Sequence, residues 1–165
     1  MATVIFEEKV PIHRIFSALF TLLVAGSLLA YFYPSFLGGE FNGNQGRTFL
    51  IVFATIIALI GLAFNSLRIV LTEESVSFGF SIFRKKVALQ DITSIKAQKF
   101  RFRDFGGYGI RLGRHKTTGY IAHSKDGLRI ETTGRNYFIS SNRVQELTQL
   151  LSAAVDQAKK RGSLR

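Results

Sequence analysis

The chain has 165 residues, a length that suits one ordinary domain together with a smaller element. It contains no cysteine, so disulfides and cysteine-based metal or nucleophile sites are excluded. The net charge of +11 is unevenly placed, because residues 1–67 are balanced and residues 68–165 carry the whole excess. A basic surface of this size suits nucleic acid or the anionic leaflet of a membrane.

Two uncharged apolar runs occupy residues 15–33 and 48–67. At 1.5 Å per residue the first run forms a helix of roughly 28 Å, about the thickness of a hydrocarbon core. A cleaved signal peptide is one alternative, but Glu7 and Glu8 precede the run, which is also too long for that role. A second alternative is that both runs form buried core helices of a soluble protein. A domain this small has too little surface to cover two helices that are apolar all round. The runs therefore predict two transmembrane helices.

The link between the runs, residues 34–47, is short and rich in Gly and Asn, so the two helices are expected to form a hairpin. Pro34 is expected to stop the first helix, next to an interfacial aromatic belt that includes Phe36. Arg14, Arg68 and the basic domain behind them lie on one side of the predicted hairpin. Because basic flanks favour the cytoplasm, we expect a multi-pass protein of the inner (cytoplasmic) membrane with both termini cytoplasmic.

Small residues four apart allow close packing of helices within a membrane. The pattern is weak, because apolar helices contain such pairs by chance. The candidates for helix packing are Gly26, Ala30, Ala54 and Ala58.

After Asn65 the apolar period changes from helical to alternating, which predicts a mainly β domain over residues 68–165. Ile82 is expected to share the inward face of a strand with Val76, Phe78 and Phe80. The next three residues are expected to form a tight basic turn. Further strands are predicted at residues 87–89, in a segment that ends at residue 103, and at residues 108–112, 119–123, 128–132 and 136–139.

Two connections in this domain are predicted from local signals. The dipeptide Asp126–Gly127 is typical of a two-residue turn, so the strands on either side of it are expected to form a hairpin. A final amphipathic helix is expected to begin near Ser141 or Asn142, which can cap its first amides, and to end at Gly162.

Three short segments give this pattern a family resemblance. They are ITSI at residues 92–95, FGGYGIR at 105–111 and NYFIS at 136–140. With the element order, they resemble the small bacterial pleckstrin-homology-like (PH-like) membrane proteins that carry two N-terminal transmembrane helices. The resemblance implies an α+β PH-like domain: an antiparallel barrel or sandwich of about seven strands, capped by one C-terminal helix. It also implies a tendency to oligomerise and no established enzymatic activity, and it supplies no functional residues.

No catalytic, cofactor-binding or metal-binding residue is expected. A dinucleotide loop starting at Gly107 would need glycine where Leu112 stands, and no helix follows. His115 and His123 lack a third ligand for a metal unless a nearby aspartate supplies one. The carboxylates show no paired spacing.

Basic residues are the remaining candidates for function. Lys99, Arg101 and Arg103 are expected to alternate with phenylalanines along one strand, which gives a cationic and an apolar face. The alternative is an ordinary solvated positive face. Nucleic acid is disfavoured because the interleaved rings would lie on the opposite face. The candidates for contact with anionic lipid or a partner are Arg84, Lys85, Lys86, Lys99, Arg101 and Arg103.

The leading hypothesis is a non-enzymatic, membrane-anchored PH-like module that acts as an accessory or assembly subunit of a membrane protein complex. One alternative is a homo-oligomeric module that binds anionic lipid through its basic face. The other is a barrel with a small pocket that binds a ligand or catalyses a reaction, with His115 or His123 in the pocket. The expected partners are membrane lipid and a protein subunit or a second copy of the chain.

Overall fold

The computed structural model describes residues 3–33, 35, 43–114 and 116–163. The chain forms two compact units, a helical unit of His13–Asn65 and a globular unit that joins Met1–Ile12 to Ser66–Arg165. The boundary drawn from the sequence, after residue 67, placed the N-terminal segment with the helices. The structure places that segment in the globular unit, where it forms a strand.

The helical unit consists of α1 (Arg14–Phe32) and α2 (Asn44–Ala63), which pack against each other. Both helices are long and apolar enough to cross a membrane, and only 11% of each apolar window is buried. Helices in the core of a soluble unit would be mostly buried. The second helix begins and ends four residues before its predicted bounds. Pro34 and Phe36, the predicted stop and belt residues, lie outside the described residues.

Hydroxyl groups inside the two helices bind their own helix. Thr21, Ser27, Thr48 and Thr55 each donate to the carbonyl oxygen four residues earlier, at 2.8–2.9 Å. A polar side chain in hydrocarbon needs such an internal partner, since no water is present to bind it.

The first sheet of the globular unit is antiparallel, in the order β1-β2-β3-β4. Its inner face is apolar, and Leu67, Ile69 and Leu71 on its second strand are fully buried. The first strand was not predicted. The strands are β1 (Val4–Pro11), β2 (Ser66–Thr72), β3 (Ser75–Phe80) and β4 (Phe83–Ala88).

The second sheet has the order β5-β8-β9-β7-β6, and its β7–β9 pair is parallel. The predicted hairpin at Asp126–Gly127 is wrong, because β9 lies between β7 and β8 and both residues belong to β8. The strands are β5 (Ile92–Lys99), β6 (Gly109–Leu112), β7 (Thr117–Ile121), β8 (Asp126–Thr132) and β9 (Asn136–Ser140).

Two helices complete the globular unit. The short α3 (Phe102–Phe105) follows β5, so the predicted strand through Arg103 ends at Lys99 instead. The final helix α4 (Val144–Ser163) buries one apolar stripe and packs on β5, β8 and the 3-10 turn Leu89–Asp91. It runs past Gly162, the predicted stop.

The architecture is thus two apolar helices, two sheets and a C-terminal helix, compatible with an α+β fold. The described residues contain nine strands and one parallel pair, whereas about seven antiparallel strands were predicted. The two sheets meet through Phe78 on β3, whose ring lies 5.1 Å from that of Tyr120 and 5.3 Å from that of Tyr137.

Candidate functional site

The β3–β4 hairpin closes tightly around a glycine. Gly79 has φ of +154°, and a Cβ there would lie 2.2 Å from the carbonyl oxygen of Phe83. Only glycine fits, because a side chain would collide with the backbone of the returning strand. The turn itself contains Ser81, a non-glycine residue with positive φ.

The tip of this hairpin is apolar and exposed. Ile82 is 81% exposed and Phe83 is 47% exposed. The expectation that Ile82 faces inward is therefore wrong, since the strand ends at Phe80 and Ile82 lies in the turn.

The tip lies at a particular end of the first sheet. Pro11 pairs with Ser66, Leu67 pairs with Phe80, and Phe80 pairs with Phe83. The chain leaves the sheet toward α1 just after Pro11 and returns from α2 just before Ser66. The exposed tip and both connections to the helices therefore share one end of the sheet.

Three consecutive cations follow the tip. Arg84, Lys85 and Lys86 are exposed on β4, an edge strand, rather than in the turn that was predicted. No ion pair involves them in the described part of the chain. Lys85 pairs with Phe78, so it shares the inner face, and its two neighbours lie on the outer face.

A cleft of about 510 Å³ lies beside β4 and is lined by residues from both sheets. Its lining includes Lys85 on β4, Arg135 in the β8–β9 turn, Tyr120 on β7 and Tyr137 on β9. Burial raises the pKa of Tyr120, Tyr137 raises it further, and the charge of Arg135 opposes both effects. The cleft therefore brings cations and phenol groups together.

Thr118 also lines the cleft, and its hydroxyl is an exception among the described residues. The Oγ1 atom is buried and has no hydrogen-bond partner there. An unpartnered buried polar group costs about 1–3 kcal/mol, so its presence calls for an explanation.

The second group of predicted basic residues lies elsewhere in the fold. Lys99 ends β5 opposite Asp126, Arg101 precedes α3 and Arg103 lies within it. All three are exposed, but the expected alternation of cations and phenylalanines breaks where β5 ends. Phe102 is 63% exposed rather than buried in a core. The six predicted basic residues therefore form two groups, on β4 and around α3.

The glycines after α3 form a bend before β6. Gly106, Gly107 and Gly109 all have positive φ, which side chains rarely allow. No helix follows them; β6 does.

A buried polar cluster joins β1 to the start of α4. Glu8 is buried and accepts hydrogen bonds from the Ser141 hydroxyl at 2.6 Å and the Asn142 amide at 2.8 Å. Ser141 in turn accepts from the Arg143 amide at 3.0 Å. Ser141 therefore binds the amide just before α4, and a carboxylate from β1 holds Ser141 and Asn142 in place.

His123 is buried in the same region. Its Nδ1 accepts from the Lys125 amide at 3.2 Å, which places the ring proton on Nε2, a buried atom with no partner in the described residues. Burial lowers the pKa of His123, Lys125 lowers it further, and Glu8 opposes the shift. His115 lies outside the described residues. Over the described ranges, no group of three or more histidines and carboxylates could hold a metal.

The four residues proposed for helix packing are placed differently in the helical unit. Ala30 and Ala54 are buried, and Ala58 is half-buried. Gly26 is exposed, and a Cβ there would meet no atom within 4 Å. A close contact that was not predicted joins the two helices at Gly61, where a Cβ would lie 3.3 Å from the Phe20 ring.

Several of these residues could not be identified from the sequence. Tyr120, Tyr137 and Arg135 come together through a parallel strand pair, and Glu8 meets its partners from 133 residues away. Neither arrangement leaves a local signal. Comparison with protein-family models, with curated proteins and with solved structures gives no match.

Proposed function

We propose that this chain is a non-enzymatic, membrane-anchored module of PH-like fold whose globular unit docks on an anionic membrane surface through the β3–β4 hairpin. One observation carries the proposal: an exposed apolar tip, Ile82 and Phe83, is followed by three exposed cations at the sheet end where the chain connects to the helices. Two sheets and a C-terminal helix behind an apolar helix pair are compatible with the PH-like resemblance.

The anchor has support from both units. The exposed apolar surface of α1 and α2 needs an apolar solvent, and a bilayer supplies one. A cleaved signal peptide fits poorly, because cleavage after α1 would remove β1 together with the buried Phe6 and Val10. Pro11 of β1 pairs with Ser66 of β2, so both strands must lie on the same side of the membrane. The segment between them therefore crosses the membrane an even number of times, as two spans do.

Energetics favour docking by a tethered unit. Full burial of an isoleucine side chain contributes about 1.5–3 kcal/mol. Each cation that reaches an anionic surface adds about 1 kcal/mol. Such small terms suffice here because the tether keeps the tip close to the membrane, which gives a high effective concentration. The basic excess of residues 68–165 favours the cytoplasmic side, with both termini inside.

A second candidate function is that of an accessory subunit in a membrane complex or a homo-oligomer. A separate exposed surface favours it. Phe102 at α3 is 63% exposed, and Leu112 at the end of β6 is 80% exposed. Arg101, Arg103 and Arg111, their neighbours in the sequence, are exposed as well. Aromatic residues and arginine are enriched at protein contacts. Mild-detergent purification should then bring down a stoichiometric partner or a second copy, and recovery of the monomer alone would count against this candidate.

Membrane docking can be measured in the full-length protein because it contains no cysteine. A single cysteine, Ile82→Cys, would carry a nitroxide label in nanodiscs of phosphatidylcholine, with or without phosphatidylglycerol. We expect the label to be more accessible to oxygen than to a water-soluble nickel reagent, and more so with the anionic lipid. Replacing Arg84 and Lys86 with glutamine should reduce the difference between the lipids.

Two control positions sharpen this measurement. A label at Gln157 on α4 should be accessible to the nickel reagent in both lipids, since that side chain is exposed and no apolar tip surrounds it. A label at Leu112 tests whether the second apolar surface also reaches lipid. If the label at position 82 is as accessible to water as the label at 157, membrane docking through the hairpin is wrong.

A further inference from the structure

We propose that the cleft beside β4 binds a phosphate group carried by a small molecule or by an anionic lipid headgroup. The proposal deepens the membrane-docking function, since it names a ligand for the same basic strand. If the ligand is a lipid, the proposal rests on that function; if the ligand is a soluble compound, it does not. Its basis is the convergence of Lys85, Arg135 and the two tyrosines Tyr120 and Tyr137 in one cleft.

The charges in the cleft favour an anion. Lys85, Lys86 and Arg135 line it, and Asp91 is the acid among its lining residues. None of these three cations forms an ion pair within the described ranges. A guanidinium group offers paired N–H donors that match phosphate oxygens, and an ammonium group adds a mobile positive charge.

The tyrosines give the cleft a rigid wall. Both rings contact Phe78, which is fully buried, so their positions are fixed by packing between the sheets. A phenol hydroxyl can donate to a phosphate oxygen. Tyr120 and Arg135 line the same cleft, so both groups can act on one ligand.

Thr118 gives an independent reason to expect a ligand. Its buried hydroxyl lies at the cleft without a partner in the described part of the chain, although β7 and β9 around it are well packed. A phosphate oxygen bound in the cleft would supply an acceptor for this hydroxyl. The volume of about 510 Å³ also lies within the range of small-molecule sites, roughly 300–1,000 Å³.

The chain offers an internal probe, because it has five tyrosines and no tryptophan. Full-length protein labelled with 3-fluorotyrosine would be placed in phosphatidylcholine nanodiscs and titrated with glycerol 3-phosphate. We expect the ¹⁹F resonances of Tyr120 and Tyr137 to shift and that of Tyr108, which lies outside the cleft, to stay. Sodium sulfate at equal ionic strength serves as the reference anion.

A second arm identifies the source of the phosphate. The same labelled protein would be placed in nanodiscs that contain phosphatidylglycerol, with no soluble ligand. Shifts in this arm assign the site to a lipid headgroup, and shifts with glycerol 3-phosphate alone assign it to a soluble phosphate compound. If Tyr120 and Tyr137 shift in neither arm at millimolar ligand, or respond to sulfate equally, the cleft does not bind phosphate.

Matched variants separate the cleft from the surface charge. Arg135→Gln and Lys85→Gln should each weaken binding about tenfold, since each removes a charged donor. Arg114→Gln and Lys159→Gln remove the same charges at exposed positions outside the cleft and should leave the affinity unchanged. If the two cleft variants and the two variants outside the cleft weaken binding equally, the cleft is not the binding site. This titration requires no docking of the hairpin, so phosphate binding can be observed even if the spin-label experiment shows no docking. Docking can likewise be observed if the titration shows no phosphate binding.

Discussion

Leu62 and Leu67 are five residues apart, yet 70% of the first is exposed and none of the second. Leu62 belongs to the helical unit and Leu67 to the globular unit. In the helical unit many large apolar side chains are exposed, whereas Ala30, Ala54 and one large residue, Leu50, are buried. In the globular unit large apolar side chains fill the interior. The same residue types are thus distributed differently in the two units, as expected if their surroundings differ.

The exceptions in the globular unit gain meaning from this difference. Ile82, Phe83, Phe102 and Leu112 are exposed there, as are Val4 and Ile5 at the start of β1, whereas the sheet interior buries large apolar residues. Phe83, Phe102 and Leu112 each adjoin an arginine in the sequence, and Ile82 lies two residues before Arg84. An apolar side chain beside a cation suits the boundary between lipid headgroups and hydrocarbon, or a protein surface, better than it suits bulk water.

The largest effect is expected from Glu8→Ala, which should destabilise the globular unit and leave the helical unit intact. The change leaves the Ser141 hydroxyl and the Asn142 amide without their acceptor, at a cost of about 2–4 kcal/mol. Hydrogen exchange of the first turn of α4, measured by mass spectrometry in nanodiscs, should accelerate, while amides in α1 and α2 stay protected.

Glu7→Ala is the matched control for this change. Glu7 is the preceding residue on β1, and it accepts from Arg68 Nε at 2.7 Å on the exposed face. Because exposed ion pairs contribute little, the loss should be under about 1 kcal/mol. If Glu8→Ala and Glu7→Ala destabilise the globular unit equally, the buried hydrogen bonds of Glu8 are not what holds β1 in place.

A smaller effect, confined to the helical unit, is expected from Ala54→Leu. Ala54 is buried where α1 and α2 pack, so a larger side chain should cost about 1–3 kcal/mol of helix association. Gly26→Leu should be tolerated, since that position is open. Unfolding in mixed detergent micelles, followed by circular dichroism, would compare them. If Gly26→Leu were the more harmful variant, the observed helix pair would be wrong.

The smallest effect expected is a pH dependence of the stability of the globular unit. The pKa of His123 is lowered in the folded protein, whereas the unfolded chain titrates near 6.5. The unfolded state therefore takes up the proton first, and stability should fall as the pH drops below about 6.5 and level off below the folded pKa. Thermal unfolding between pH 5 and 8 should show this slope. His123→Gln should flatten it.

The sequence predicted the local parts of this fold well. Uncharged runs located α1 and α2 to within four residues, and alternation located β2, β3, β8 and β9. β1 was missed because Glu8 stands at an inward position between Phe6 and Val10, where a charge argues against a buried strand face. Its partner, Ser141, is too distant in sequence to be paired with it from a pattern.

The candidate site was predicted only in part, for a similar reason. The charge of Arg84, Lys85 and Lys86 was evident, but the faces they occupy depend on the register with β3. A turn was assigned to them because three cations in a row resemble a loop. The actual turn contains Ile82, whose apolar character suggested a strand. The cleft could not be predicted, since it requires both sheets.

The pairing of Pro11 with Ser66 also constrains how the protein is made. The first strand leaves the ribosome before either apolar helix, and it must wait for its neighbour in the sheet until both helices are synthesised. At roughly 5–20 residues per second, that delay is on the order of several seconds. The globular unit is therefore completed only after the whole helical unit has been made, because β1 and β2 lie on either side of that unit in the sequence.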